Sequence, residues 1–478
     1  MVRPVGLAVL AALLAAAAPA GAGGYSPGAA GGGDPFFPDA GNGGYDARHY
    51  SLDIDYDQPV NRLDGRVTIQ ARATQGLSSF NLDLRDFLTV ARVKVNGREA
   101  GFTHVGQELT ITPQRPIKRG RSFEVTVKYG GVPEPIVDPD ESLEGWVVSE
   151  ADPDGAFVVN EPQGSPGWFP VNDTPVDKAT YDFRITVPAG HTAIANGRLL
   201  WKHTRHGRTT WRWAEDSPMS SYLVTATNGP FETRFGRLAN GLPEYNAVDP
   251  DTRESEDDPG PNPALAWERL AAQPEIVAFF SKLYGPYPFS AVGSIIDWAR
   301  DVGYALESQT KPNYDRIPDA ATLVHELAHQ WFGNAVTLAV WPDIWLNEGF
   351  ATWSEWIYDE RHGGQPASAV FDDLCSVPEG TDEGQDLWFP APVALEGPDQ
   401  LFGTPVYYRG GMTLQALREL AGDRVFFKIL RTWVRDHSGG NVTTADFIAL
   451  AERKTGRQLD AFFDDWLYRA GKPAACPS

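Results

Sequence analysis

Between residues 45 and about 235 the chain reads as strands, and in its clearest stretches apolar side chains recur at every second position. Phe123, Val125, Val127 and Tyr129 alternate with Glu124, Thr126 and Lys128, and Tyr181, Phe183, Ile185 and Val187 repeat the alternation. A period of two turns one face of each strand to a core and the other to water. Asn96-Gly97 is a hairpin turn signal, and Pro and Gly punctuate the remainder. This part reads as an all-β, sandwich-like domain. The segment 249–263 is acidic and Pro-rich, lacks an apolar period, and reads as a loop. Beyond it the period becomes helical: 264–283, 320–332, 349–361, 411–420 and 445–454 look amphipathic, with Pro274 expected to kink or split the first. The pattern predicts a multidomain protein, β followed by α/β.

At 478 residues the chain exceeds one compact core, so two or three domains are expected. Arg3, the small and apolar run 5–18, and the small-residue sites at Ala18-Pro19-Ala20 and Ala20-Gly21-Ala22 read as a signal peptide over 1–22. The run is too short for a stable membrane span. The protein is therefore expected to be secreted and extracellular, without membrane insertion. Residues 23–44, rich in Gly, Pro and Ala, read as a flexible leader. The domains are then expected at 45–237 (β) and 238–478 (catalytic). A net charge of −22 speaks against nucleic acid or anionic membrane as a partner and for solubility. The chain is expected to act as a monomer. The two cysteines, Cys375 and Cys476, are read either as one disulfide pinning the C-terminal tail or as two free thiols. The acidic segments 251–258 and 379–386 read as solvated loops, since neither shows an ordered spacing of calcium ligands.

The chemistry concentrates at His325-Glu326-Leu327-Ala328-His329. Asp319 is a suitable N-cap and Gly333 a suitable stop, so the five residues fall within one helix. Positions i and i+4 share a face, which aims His325 and His329 at one Zn²⁺. Glu326 is placed to reach a water on the metal without ligating it. Eighteen residues after His329 comes Asn347, followed by Glu348-Gly349-Phe350-Ala351, and Glu348 supplies a third ligand. Two histidines, one glutamate and an open position form a catalytic zinc set, one ion per chain. Zinc lowers the pKa of a bound water to about 7 in favourable sites, and Glu326 is the base that takes its proton. The remaining seven histidines are scattered, and none is assigned a ligand role.

His325 to Gly333, read with Trp345-Leu-Asn-Glu-Gly-Phe-Ala351, resembles the aminopeptidase N and leukotriene hydrolase family of gluzincin metallopeptidases. Tyr284-Gly-Pro-Tyr-Pro-Phe289, Trp168-Phe-Pro-Val-Asn-Asp-Thr-Pro175, Lys178-Ala-Thr-Tyr181 and Asp465-Trp-Leu-Tyr468 extend the likeness over roughly residues 35 to 473. It implies a thermolysin-like, mostly helical catalytic domain and removal of N-terminal residues from peptides with a free N-terminus. Tyr304-Ala305-Leu306-Glu307-Ser308 stands where the family has Gly-x-Met-Glu-Asn. Glu307 then resembles the residue that binds the substrate ammonium, with Tyr304 and Ala305 beside the substrate. Glu161, twelve residues before Asp173, resembles a second ammonium anchor. Tyr407-Tyr-Arg-Gly410 stands for Tyr-x-Lys-Gly, so Tyr407 resembles the oxyanion donor, with Tyr408 as the alternative. Three departures stand out. Tyr304 replaces a glycine and is expected to narrow the cleft or reshape the pocket for the first residue; Ser308 replaces Asn; Arg409 replaces Lys. The resemblance leads to the expectation of a short secreted bacterial type, without the large helical C-terminal domain of many relatives. The rival readings are a zinc endopeptidase and a zinc-binding scaffold without turnover.

Overall fold

The computed structural model describes residues 24–476 except 256 and 259; the expected signal peptide, 1–22, lies outside the described residues. The alternating stretches form the strands Ser122–Gly131 and Ala179–Pro188, whose odd-numbered residues, Gly131 apart, are buried. Both lie in an eight-stranded sheet with the spatial order Arg198–Arg205, Arg208–Met219, Ala179–Pro188, Tyr45–Asp57, Arg62–Ala73, Ser122–Gly131, Leu88–Val95, Arg98–Glu99. Neighbours are antiparallel except Tyr45–Asp57 and Ala179–Pro188, where Tyr50 stands beside Tyr181 in a parallel pair. Asn96-Gly97 makes the expected hairpin: Val95 pairs with Arg98, and both turn residues have positive φ. A four-stranded sheet covers the inner face. Its Phe80 meets Phe123 at 5.1 Å and Tyr45 at 5.8 Å between ring centroids, which closes a sandwich.

Residues 24–44 are not the flexible leader expected from their composition. Ser26–Pro27 pairs with Leu77–Asp83, Asp34 accepts from the Trp341 amide at 2.8 Å, and Asn42 donates to Asp83 at 3.0 Å. Phe37 is buried and meets the Trp341 ring edge-on. A few well-spaced anchors hold this segment, and anchors are what a compositional reading averages away. The segment thereby ties the sandwich to the loop that precedes the Glu348 helix.

The second part begins with a five-stranded mixed sheet, in the order Glu232–Arg237, Pro243–Val248, Ile295–Ile296, Asn313–Tyr314, Ala305–Leu306. Glu232–Arg237 pairs with Pro243–Val248, so the boundary expected at 237/238 falls before residue 232. This edge strand is polar and largely exposed, and by pattern it reads like an outer strand of the sandwich. The remainder is helical. The first expected helix is split at Pro274 into Pro263–Leu270 and Gln273–Tyr284. Trp345–Arg361 runs through the middle of the domain, buried from Trp345 to Ser354. Asp423–His437, which buries Phe426, Ile429, Leu430 and Trp433, was not anticipated. Cys375 and Cys476 form a disulfide that fastens the C-terminal tail to the helix Ala367–Ser376. No described helix is long and apolar enough to cross a membrane. Lys178, from the sandwich, donates its Nζ to the carbonyls of Asn334 (3.0 Å) and Ala335 (3.3 Å) in the catalytic part. Burial pushes this ammonium down to about 7.

Candidate metal centre and substrate cleft

The helix Ala320–Ala328 starts at Asp319, whose carboxylate accepts from the Thr322 amide at 2.8 Å, and His329 closes it as C-cap. The chain then turns at Gly333, with φ +113; a β-carbon there would approach His329 Nδ1 to 3.2 Å, so glycine suits both the backbone and the crowding. Across from this helix, Trp345–Arg361 delivers Glu348. His325 Nε2 and His329 Nε2 lie 3.1 Å and 3.4 Å from Glu348 Oε2. Ligands on one tetrahedral ion with bonds of about 2.0–2.1 Å are separated by about 3.3 Å, so the three atoms fit a zinc ion. Both rings are held from behind. His325 Nδ1 is 2.6 Å from Glu355 Oε1, and His329 Nδ1 is 3.0 Å from the Phe332 carbonyl. Each acceptor places the proton on Nδ1 and leaves Nε2 free to ligate.

The three groups reinforce one another's charge. Burial alone would raise Glu348, yet His329 and His325 pull it down to about 2. Burial would lower His329, yet Glu348 and Glu307 push it up to about 9. His325 is likewise raised by Glu348 and Glu355 against its burial.

A cleft of about 370 Å³ opens over the three ligands, lined also by Glu161, Tyr304, Ala305, Glu307, Glu326 and Tyr407. Glu326 is buried with Oε2 unpartnered, and burial, helped by Glu307 and Glu348, pushes it up to about 8. Glu161 and Glu307 are also buried, each with an orphan Oε1. One carboxylate oxygen each of Glu161, Glu307 and Glu348 lie within 4.8 Å of one another. Burial raises both Glu161 and Glu307. The Glu307 backbone is clamped by the end of the histidine helix: its carbonyl accepts from Gln330 Nε2 (3.1 Å) and Asn334 Nδ2 (2.7 Å).

Tyr407 sits in the turn Pro405–Arg409, a π-type turn that opens the helix Gly410–Ala421. Gly349 and Gly410 let this helix and the Glu348 helix touch; a β-carbon on Gly349 would come within 2.8 Å of the Gly410 backbone. The close crossing brings the Tyr407 ring over His325, 5.9 Å between centroids, while Tyr408 is exposed. Tyr304 lines the cleft wall, and its hydroxyl donates to the Leu143 carbonyl at 3.2 Å. Its ring packs beside the apolar cluster of Val147, Phe157, Val302 and Leu306. Tyr304 thus forms part of the cleft wall while anchored to the sandwich. Ser308 is buried behind Glu307. Arg409 is fully buried and points away from the cleft, donating to the carbonyls of Trp466, Trp388, Asp465 and Arg469.

Glu355 and the Phe332 carbonyl were not anticipated. For Glu355 a signal existed: it stands two helical turns after Glu348 and so shares its face.

The fold, the His-Glu-x-x-His helix and the glutamate on the next helix define a zinc metallopeptidase of the gluzincin class. The pattern described as the Peptidase M1 N-terminal domain matches residues 46–223, and the Peptidase family M1 domain matches 299–466. The chain belongs to peptidase family M1. It is similar to aminopeptidase N of Lactococcus lactis subsp. lactis, 27% identical over 331 residues, covering 64% of this chain and 38% of that one. Glutamyl aminopeptidase of Rattus norvegicus is 24% identical over 468 residues, covering 90% and 48%. The chain thus spans less than half the length of these curated relatives. Among solved structures, the M1 zinc metallopeptidase from Deinococcus radiodurans superposes with a TM-score of 0.80 at 28% identity, covering 93% of this chain and 99% of that one. A mutant of that protein bound to a Tyr-Ser-Ala substrate gives 0.81.

Proposed function

We propose that the protein is a secreted, zinc-dependent aminopeptidase that hydrolyses the N-terminal peptide bond of peptides. The observation that carries this reading is the pair of buried carboxylates of Glu161 and Glu307, each with one oxygen that no hydrogen bond reaches, set against the metal ligand Glu348. Two such groups are costly without positive charge between them. A substrate α-ammonium supplies that charge, and a blocked N-terminus does not. Held there, the amine fixes the first peptide carbonyl beside the His325–His329–Glu348 centre. Zinc bound at that centre supplies Lewis-acid polarisation of the carbonyl and acidifies water. Glu326 takes the proton of the attacking water and returns it to the leaving amine. The Tyr407 hydroxyl donates to the developing oxyanion. Ala305–Leu306 is the edge strand of its sheet and offers backbone groups to the substrate chain. Secretion is supported by the residue pattern of 1–22 and by the Cys375–Cys476 disulfide, which suits an oxidising compartment.

The test is a panel of aminoacyl anilides, each free and N-acetylated, with wild type and Glu326→Gln. Cleavage of the free forms alone, lost in the variant at unchanged zinc content, is the expected result. Equal cleavage of acetylated substrates would make the protein an endopeptidase, and zinc with no cleavage would make it a scaffold.

A further inference from the structure

A second group of carboxylates lies away from the cleft, where the two parts of the molecule meet. Pro243–Val248 and Ile295–Ile296 are adjacent parallel strands, with Val248 beside Ile296. Each runs directly into an aspartate, Asp249 and Asp297, and the Asp249 amide still donates to the Ile296 carbonyl at 2.8 Å. From the sandwich, the loop 148–156 between Leu143–Val147 and Phe157–Val159 brings Asp152 to them. One carboxylate oxygen each of Asp152, Asp249 and Asp297 lie within 4.8 Å of one another. Asp152, Asp154 and Asp251 form a second such triple, nearer the surface.

We propose that Asp152, Asp249 and Asp297, with Asp154 and Asp251 at the rim, form a calcium site that fastens the sandwich to the catalytic sheet. The observation beyond mere crowding is Asp249. It is 0% exposed, its Oδ1 accepts from the Asp251 amide, and its Oδ2 has no partner. Asp152 Oδ2 is also buried and unpartnered. Buried carboxylates with unpartnered oxygens, brought this close together, are an arrangement that a cation relieves of its penalty. A neighbouring side chain supplies positive charge in a comparable case: Asp315, which ends the next strand, Asn313–Tyr314, is met by Arg316 at 2.6 Å. Arg253 instead stacks over the Trp298 ring, at 5.4 Å from its centroid. Burial and the neighbouring carboxylates push Asp249 and Asp152 up to about 7, so the cluster resists carrying its full negative charge unaided. The donors are all carboxylates, which selects a hard cation over zinc or copper. The separations suit metal–oxygen bonds of about 2.3–2.6 Å, and a ligand set from a loop and two strand ends suits the irregular coordination of calcium better than a strict octahedron.

Fixing this loop also steadies the substrate side. Ser149 Oγ and the Glu150 amide both bind the Asp301 carboxylate, and Asp301 lies on the segment that leads to Tyr304, Ala305 and Glu307. The contiguous acidic segment 251–258 shows no calcium spacing because the ligands come from three separate stretches of chain.

The experiment uses the zinc-loaded full chain, dialysed against metal-depleted buffer. Calcium and zinc per chain are measured by mass spectrometry, calcium binding by calorimetry, and melting temperature with CaCl2 or MgCl2. One calcium per chain is expected, raising the melting temperature by about 3 °C or more at saturating ion, with magnesium clearly weaker. Asp249→Asn should abolish both the binding and the shift. Without calcium this variant should melt no lower than wild type, because it removes repulsion. Should Asp249→Asn fail to fold, Asp152→Asn, on the loop, carries the same test. Absence of binding and of any shift in wild type would overturn the proposal. So would an equal shift in the variants, and equal magnesium binding would overturn the choice of ion.

Discussion

Replacing Glu355 tests how the centre is held rather than what it touches. Its carboxylate meets His325 Nδ1 at 2.6 Å and fixes the ring with Nε2 towards Glu348. A hydrogen bond to a charged group is worth about 1.5–3 kcal/mol. The Glu355 side chain is 25% exposed, so the lower half of that range applies. At about 1.4 kcal/mol per tenfold, Glu355→Ala should weaken zinc binding roughly 10- to 50-fold, within the range of about 10- to 100-fold for groups that orient a ligating histidine. Glu355→Gln retains an acceptor oxygen and should lose less. The assay is competition for zinc against a chromogenic chelator near neutral pH, with circular dichroism to verify the fold. Turnover at saturating zinc should fall far less than affinity. An unchanged zinc affinity in Glu355→Ala would refute the argument that this contact sets the ring.

Three further outcomes are expected. Tyr407→Phe should lower kcat by about 10²-fold with little change in KM; a pure KM effect would move oxyanion donation elsewhere. Arg409→Lys should destabilise although charge is kept, because an ammonium has three donors for the four carbonyls that the guanidinium serves. One orphaned carbonyl costs about 1–3 kcal/mol, or a melting temperature roughly 2–6 °C lower, and an unchanged melting temperature would contradict this. In zinc-free protein, stability should fall between about pH 5 and pH 7, above which buried Lys178, held down to about 7, works in the opposite direction. Asp173, Asp177 and Glu215 are each pushed up to about 7, chiefly by burial, so the folded chain keeps protons that the unfolded chain has already released. His329, raised to about 9, acts in the same direction, since its stabilisation is complete below its ordinary value and is lost as pH rises. A melting temperature that climbs steadily across this window would contradict these shifts.

The histidine pair was legible because one helical turn fixes its geometry locally, and Glu348 because it opens a helix at a fixed distance along the chain. Glu161 and Glu307 entered only through family resemblance: no periodicity reports that two distant segments meet over one metal. The structure brings both into the cleft and separates Tyr407 from Tyr408, a choice that depends on the π-type turn and the Gly349–Gly410 crossing. Residues 24–44 were misread because glycine content hides a few decisive anchors, and Glu232–Arg237 because an exposed edge strand carries no sign of the sheet it joins. The helix Asp423–His437 carries an apolar face of Phe426, Ile429, Leu430 and Trp433 at helical spacing, a signal present in the sequence.

The most direct test of the central claim is the ratio of kcat/KM for a free aminoacyl anilide to that for its N-acetyl form, in wild type and in Glu307→Gln and Glu161→Gln. If the two carboxylates select the free amine, wild type should favour the free substrate strongly. Each variant should then lose about 10- to 100-fold of kcat/KM on the free form alone, as expected for a charged hydrogen bond. An unchanged ratio in both variants would show that the amine is not read at this pair and would remove the basis for an aminopeptidase.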